Sequence, residues 1–167
     1  MNKKGFTLIE VVMIIVILGI IMPGIMLYFI TGVKDSAIPQ RRTTAIFLAE
    51  ALMEEIKSKG WDETASISNC STDASSTLGF EVGEGRSTYD DVDDFNGLNN
   101  TPIPQNSQGA NMTDYQGYGQ SVAVMYVNSG DLDTDAATRT CYKRIAVTIT
   151  DTTTNESIEL VTLRTSY

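Results

Sequence analysis

Lys3-Lys4-Gly5-Phe6-Thr7-Leu8-Ile9-Glu10 leads into Val11-Val12-Met13-Ile14-Ile15-Val16-Ile17-Leu18-Gly19-Ile20, and the uncharged run continues to Ile30. Twenty helical residues rise about 30 Å, the thickness of a bilayer's hydrocarbon core. A transmembrane helix is therefore expected within residues 6–30. A removed secretory signal is the competing reading, but such signals have a shorter apolar core and a small-x-small cleavage site. Here Leu27-Tyr28-Phe29-Ile30 follow instead. Lys3 and Lys4 favour a cytoplasmic N-terminus, a preference that Lys34, Arg41 and Arg42 beyond the run partly blunt. With that orientation, everything past about Thr31 lies outside the cytoplasm.

Glu10 does not suit a plain anchor. A charged side chain at mid-helix costs roughly 3 kcal/mol to insert, less near an end. An intramembrane carboxylate points to function and calls for a partner. The alternative is that Glu10 snorkels to the headgroups, loosely paired with Lys3 or Lys4. Further along, Gly19, Pro23 and Gly24 mark a kink or a melted segment, because proline removes an intrahelical bond and glycine loosens the backbone. Gly32 and Pro39 are sites for further bends.

Ala45, Leu48, Ala49, Leu52, Met53 and Ile56 recur at the spacing of one helix face, while Arg42, Glu50, Glu54, Glu55, Lys57 and Lys59 take the others. Residues 31–60 are thus expected to form an amphipathic continuation of the helix, with Gly60 as its C-cap. Unbroken from Phe6 to Lys59, the helix would be about 80 Å long. Residues 61–167 form the remaining, β-rich domain. Its first part is rich in Ser, Thr, Asn, Asp and Gly and reads as loops with short strands such as Leu78–Val82. Strand patterns follow at Ser121–Val127, apolar on both faces, at Lys143–Thr150, half-buried, and at Ser157–Thr165. In the last, Ile158 and Leu160 give way to Val161 and Leu163, which suggests a bulge or burial on both faces. The fold class is α+β: a long N-terminal helix on an antiparallel sheet of at least three strands.

The chain has 167 residues, a formal net charge of −9, no histidine and two cysteines. An acidic balance excludes nucleic-acid binding through a general electrostatic footprint, since phosphate would be repelled. The lack of histidine removes the commonest general base and the commonest metal ligand. No nucleophile–base pair or phosphate loop is recognisable. No enzymatic activity, catalytic residue or cofactor is expected. From Asp62 to Asp135 there are thirteen acidic residues and one basic residue, Arg86, which reads as a solvated acidic surface.

Lys4-Gly5-Phe6-Thr7-Leu8-Ile9-Glu10, with its apolar helix behind it, resembles the processing signature of type IV pilins and type II secretion pseudopilins. The resemblance implies that a prepilin peptidase removes the leader Met1–Gly5, cutting between Gly5 and Phe6, and methylates the new terminus at Phe6. Losing Lys3 and Lys4 takes the side-chain charge from −9 to −11. It also implies a partner for Glu10, the N-terminal amine of a neighbouring subunit in a filament core. Opposite charges in apolar surroundings attract strongly, and either alone is costly. The pilin-like roll and a loosened helix near Gly19–Gly24 are likewise implied.

Cys70 and Cys141 would form a disulfide if the domain is extracytoplasmic, or remain two buried thiols if it is not. Closing a 71-residue separation would stabilise by roughly 4 kcal/mol in the chain-entropy model. Asp131-x-Asp133-x-Asp135 resembles the opening of a calcium loop, but Ala136 and Tyr142 stand where glycine and glutamate are needed. No metal ligands are assigned. Arg86-Ser87-Thr88-Tyr89-Asp90-Asp91-Val92-Asp93-Asp94-Phe95-Asn96-Gly97 crowds four carboxylates, which must be solvated, paired with Arg86, or bound to a cation. Tyr89 and Phe95 are expected to anchor this loop while the acids face outward. With Leu48–Ile56 and Lys143–Thr148, this segment resembles minor pilins of the mannose-sensitive haemagglutinin pilus, the D-type subunits in particular.

The expected function is that of a minor type IV pilin, incorporated into or priming a pilus for surface attachment. A type II secretion pseudopilin, or an anchored binding module that never polymerises, is the alternative. Partners are the peptidase, other pilin subunits, the inner-membrane assembly machinery and, before assembly, lipid. The expected location is the inner membrane, with a periplasmic C-terminal domain, then the cell surface.

Overall fold

The computed structural model describes residues 5, 7–61, 78–136 and 138–166. Helix α1 runs Leu8–Lys57, and Pro23 and Pro39 both lie inside it. Gly19 and Gly24 are helical too, so no stretch of α1 is melted here. The chain divides into two compact units at Arg41/Arg42.

In the first unit, every large apolar side chain from Leu8 to Ile30 is between 45% and 85% exposed. α1 includes an 18-residue window of mean hydropathy 2.8 with none of it buried, long and apolar enough to cross a membrane.

In the second unit, the last turns of α1 lie against an antiparallel sheet. Its strands are β1 (Asn99–Asn100), β2 (Tyr118–Asn128), β3 (Asp131–Asp135), β4 (Tyr142–Asp151) and β5 (Glu156–Thr165), in the order β1-β2-β4-β5 with β3 paired to the end of β2. All six apolar positions of the expected face, Ala45 to Ile56, are buried. They meet Val122 and Val124 of β2 and Ile145, Val147 and Ile149 of β4, one side of the pleat in each strand. Tyr89, Val92 and Phe95 complete that core.

Three local expectations are corrected. Leu78–Val82 is irregular and not a strand, bending at Gly79 (φ +137°) and leading into a turn at 82–83 with Gly83 at φ +106°. β5 pairs with β4 in unbroken register, so it carries no bulge. Ile158 and Leu160 pack on the core, whereas Val161 and Leu163 on the opposite face are 49% and 40% exposed. Gly60 does not cap α1. It forms a bridge with Asp91 and donates its N–H to the Asp90 carbonyl at 2.9 Å. The Arg164 guanidinium instead reaches the Ile56 carbonyl at 3.4 Å, where the last helical carbonyls need donors.

Candidate functional site

The N-terminal site is built from the first turn of α1. Thr7 immediately precedes the helix, and its carbonyl accepts from the N–H groups of Glu10 at 3.1 Å and Val11 at 3.3 Å. Glu10 thus stands in the first turn, where unpaired N–H groups and the helix dipole favour a negative charge. Its side chain is exposed, as are the apolar residues on either side of it. Gly5 is exposed, and a Cβ added there meets nothing within 4 Å. Phe6 and the leader residues 1–4 lie outside the described residues. The first turn of α1 thus sets an exposed acid among exposed apolar side chains.

Comparison with known protein families speaks to this end of the chain. Residues 1–22 match the prokaryotic N-terminal methylation motif. The motif supports a type IV pilin-type or pseudopilin-type prepilin as the substrate of a processing peptidase. It covers Gly5, Phe6 and Glu10, and it stops before Pro23 and Gly24. No curated protein and no solved structure matches the chain.

The segment from Arg86 to Gly97 is the other concentration of charge, and its acids mostly do not face out. Asp91, Asp93 and Asp94 are buried, and Asp90 alone of the four is exposed. Two of the acids are occupied by backbone. Asp91 Oδ1 accepts the N–H groups of Asp93 at 2.9 Å and Asp94 at 3.3 Å, while Asp94 Oδ2 accepts those of Asp90 at 2.8 Å and Asp91 at 3.1 Å. Asp91 and Asp94 thereby exchange bonds in the manner of a capping box around the 3₁₀ turn Asp93–Phe95. The third acid has a cation. Lys143 Nζ, fully buried, lies 2.7 Å from Asp93 Oδ1, 2.6 Å from the Trp61 carbonyl and 4.7 Å from the centre of the Trp61 ring. Burial pushes the Asp93 carboxyl up to about 7 against the opposing pull of Lys143.

Arg86 does not pair with these acids. Its guanidinium binds Glu55 of α1 through two parallel contacts of 2.6 Å and lies 4.9 Å from the Phe95 ring centre. Tyr89 and Phe95 anchor the segment as expected, buried with ring centres 5.1 Å apart in an edge-on arrangement.

Asp131, Asp133 and Asp135 are exposed on β3. Asp131 Oδ1 accepts the N–H groups of Asp133 at 3.1 Å and Thr134 at 3.2 Å, and Asp133 lies 3.7 Å from Arg144. Their alternation along a strand is not a calcium loop. Cys141 directly precedes β4, and its carbonyl accepts from Ser166 at 3.0 Å. Cys70 lies outside the described residues. Lys143 shares the strand face of Ile145, Val147 and Ile149, so its burial follows from the alternation of β4, whereas its pairing with Asp93 has no sequence signal. The Asp91-x-x-Asp94 spacing was a legible signal for a local cap.

Proposed function

We propose that the chain is a type IV pilin subunit, processed after Gly5, methylated at Phe6 and built into a filament through α1. The observation that carries this reading is the methylation motif running without interruption into an uncovered apolar helix. A contiguous apolar surface of this extent on one chain calls for lipid or for other apolar subunits. One helix serves both, first in the inner membrane with a cytoplasmic N-terminus and later in a filament core.

Glu10 supplies register. Processing creates an ammonium at Phe6, and a neighbouring subunit's Glu10 neutralises it in surroundings where either charge alone is expensive. The second unit is the periplasmic head, and its role is structural rather than catalytic. The patches Leu48–Ile56, Arg86–Gly97 and Lys143–Thr148 support a minor pilin of the mannose-sensitive haemagglutinin type, hence a pilus engaged in surface attachment. An extracytoplasmic head favours a Cys70–Cys141 disulfide, which would tie the loop-rich middle to the start of β4.

Glu10→Ala tests the pairing. Membrane-fraction yield should stay unchanged, because removing a charge eases insertion. Recovery in sheared filaments should fall by about tenfold or more, the penalty of one unpaired buried charge. Normal recovery in filaments would sink the pairing.

A further inference from the structure

We propose that Phe47 of one subunit docks in the hollow between α1 and the 105–112 loop of a second copy of this chain. The contact rests on the proposed filament and deepens it by naming head surfaces that meet there.

Phe47 is 64% exposed and stands outside the buried stripe of α1. Leu48, Ala51 and Leu52 of the same helix line a hollow of about 270 Å³ together with Met112. Residues 105–107 give it a polar wall. Phe47 and the hollow both belong to the second unit. A site for a drug-sized ligand takes roughly 300–1,000 Å³, so this hollow suits one protein side chain better than a free small molecule.

The hollow is preformed. Asn106 Oδ1 accepts the N–H groups of Gln108 and Ala110, both at 3.0 Å, and Met112 donates its N–H to the Pro104 carbonyl at 2.8 Å. Gln120 Nε2 donates to the Gln105 carbonyl at 3.3 Å. Glu55, the charged residue at the rim, is neutralised by the two 2.6 Å contacts from Arg86, so no unpaired carboxylate meets an incoming ring. A braced recess with an apolar lining and a polar rim is what an aromatic anchor fills at protein interfaces.

Two features point to a second copy as the occupant. Phe47 does not line the hollow, so one chain carries knob and hole at separate places. Head-to-tail association needs that arrangement, since each copy gives one surface and receives on another. The second feature is register. In parallel copies, pairing Glu10 with a neighbour's Phe6 sets residue n of the neighbour level with residue n + 4, about 6 Å along a helix. Phe47 of the neighbour then stands level with Ala51, among the residues that α1 gives to the hollow.

The test places the photo-reactive analogue p-benzoylphenylalanine at position 47 of the full chain and co-expresses it with an unsubstituted copy bearing a different affinity tag. Sheared filaments are illuminated, and the products are mapped by peptide mass spectrometry. A product with both tags is expected, joining position 47 to Leu48–Glu55 or Gln105–Met112 of the other copy. Phe47→Ala, which removes the knob, and Ala51→Phe, which fills the hollow from its exposed edge, should each cut filament recovery by about tenfold. Membrane-fraction yield and thermal midpoint should not move in either variant. A link to another protein or another surface, no link at all, or normal recovery of both variants would each overturn the docking while leaving the filament in place. Absence of the unsubstituted chain from sheared filaments would overturn the filament itself, and the docking with it.

Discussion

At Lys143 an ammonium is buried beside the rings of Trp61 and Tyr126, and it is tolerable only because Asp93 and a backbone carbonyl meet it. Removing one partner of such a pair strands the other charge, at a cost of about 3 kcal/mol or more. Asp93→Ala should therefore lower unfolding stability by about that amount in denaturant titrations. The double change Asp93→Ala with Lys143→Met should lose less, because no charge is then stranded. A double variant as unstable as the single one would mean that packing, and not charge, holds this corner. The pairing was not readable beforehand. Asp90 to Asp94 looked like an outward acidic run because sequence reports charge density, whereas the fold uses each acid differently. One is exposed, two bind backbone N–H groups, and one meets a cation fifty residues away. The cation that meets Asp93 lies on a distant strand and has no local signature, whereas the Asp91-x-x-Asp94 spacing is a local one.

Helices and strands were far more legible than their charged side chains. The spacing from Ala45 to Ile56 marked the buried face of α1, and the alternation of β4 marked which residues meet it. Apolar periodicity survives in sequence because burial acts on every residue of a face. β1, with two residues, and β3, polar and exposed, carry no such pattern. β5 misled for a related reason, since Val161 and Leu163 are apolar yet exposed. Gly60 misled because a glycine after a helix suggests a cap, while here it lets the backbone pair with Asp91. Ala49 is fully buried on the helix face, so Ala49→Leu should overpack the core and cost about 1–3 kcal/mol. Glu50→Ala, one residue on and exposed, should stay within about 0.5 kcal/mol. Thermal unfolding of the two variants side by side checks this. Equal midpoints would place the buried face elsewhere.

The two units follow different physics. The head buries its own core, whereas the N-terminal unit carries an apolar helix whose side chains are exposed among the described residues. An exposed apolar surface of this extent calls for an external apolar phase, and the methylation motif at residues 1–22 is consistent with the proposed passage from lipid to polymer. If the head is extracytoplasmic, Cys70 and Cys141 should be oxidised together. Electrophoresis with and without reductant should then show a mobility shift, and labelling of free thiols without reductant would contradict the bridge.

If the chain is processed after Gly5 as proposed, assembly depends on that step, because before it no amine exists at Phe6. Gly5→Leu should block cleavage without harming the fold, as a side chain at this position meets no neighbour. The most direct measurement is intact-mass and N-terminal peptide mass spectrometry of the protein recovered from cells. Loss of Met1–Gly5 with a methyl group on Phe6 is the predicted result, and the Gly5→Leu variant should keep its leader. A wild-type chain that retains Met1–Gly5 would contradict the account and leave a tethered domain that does not polymerise.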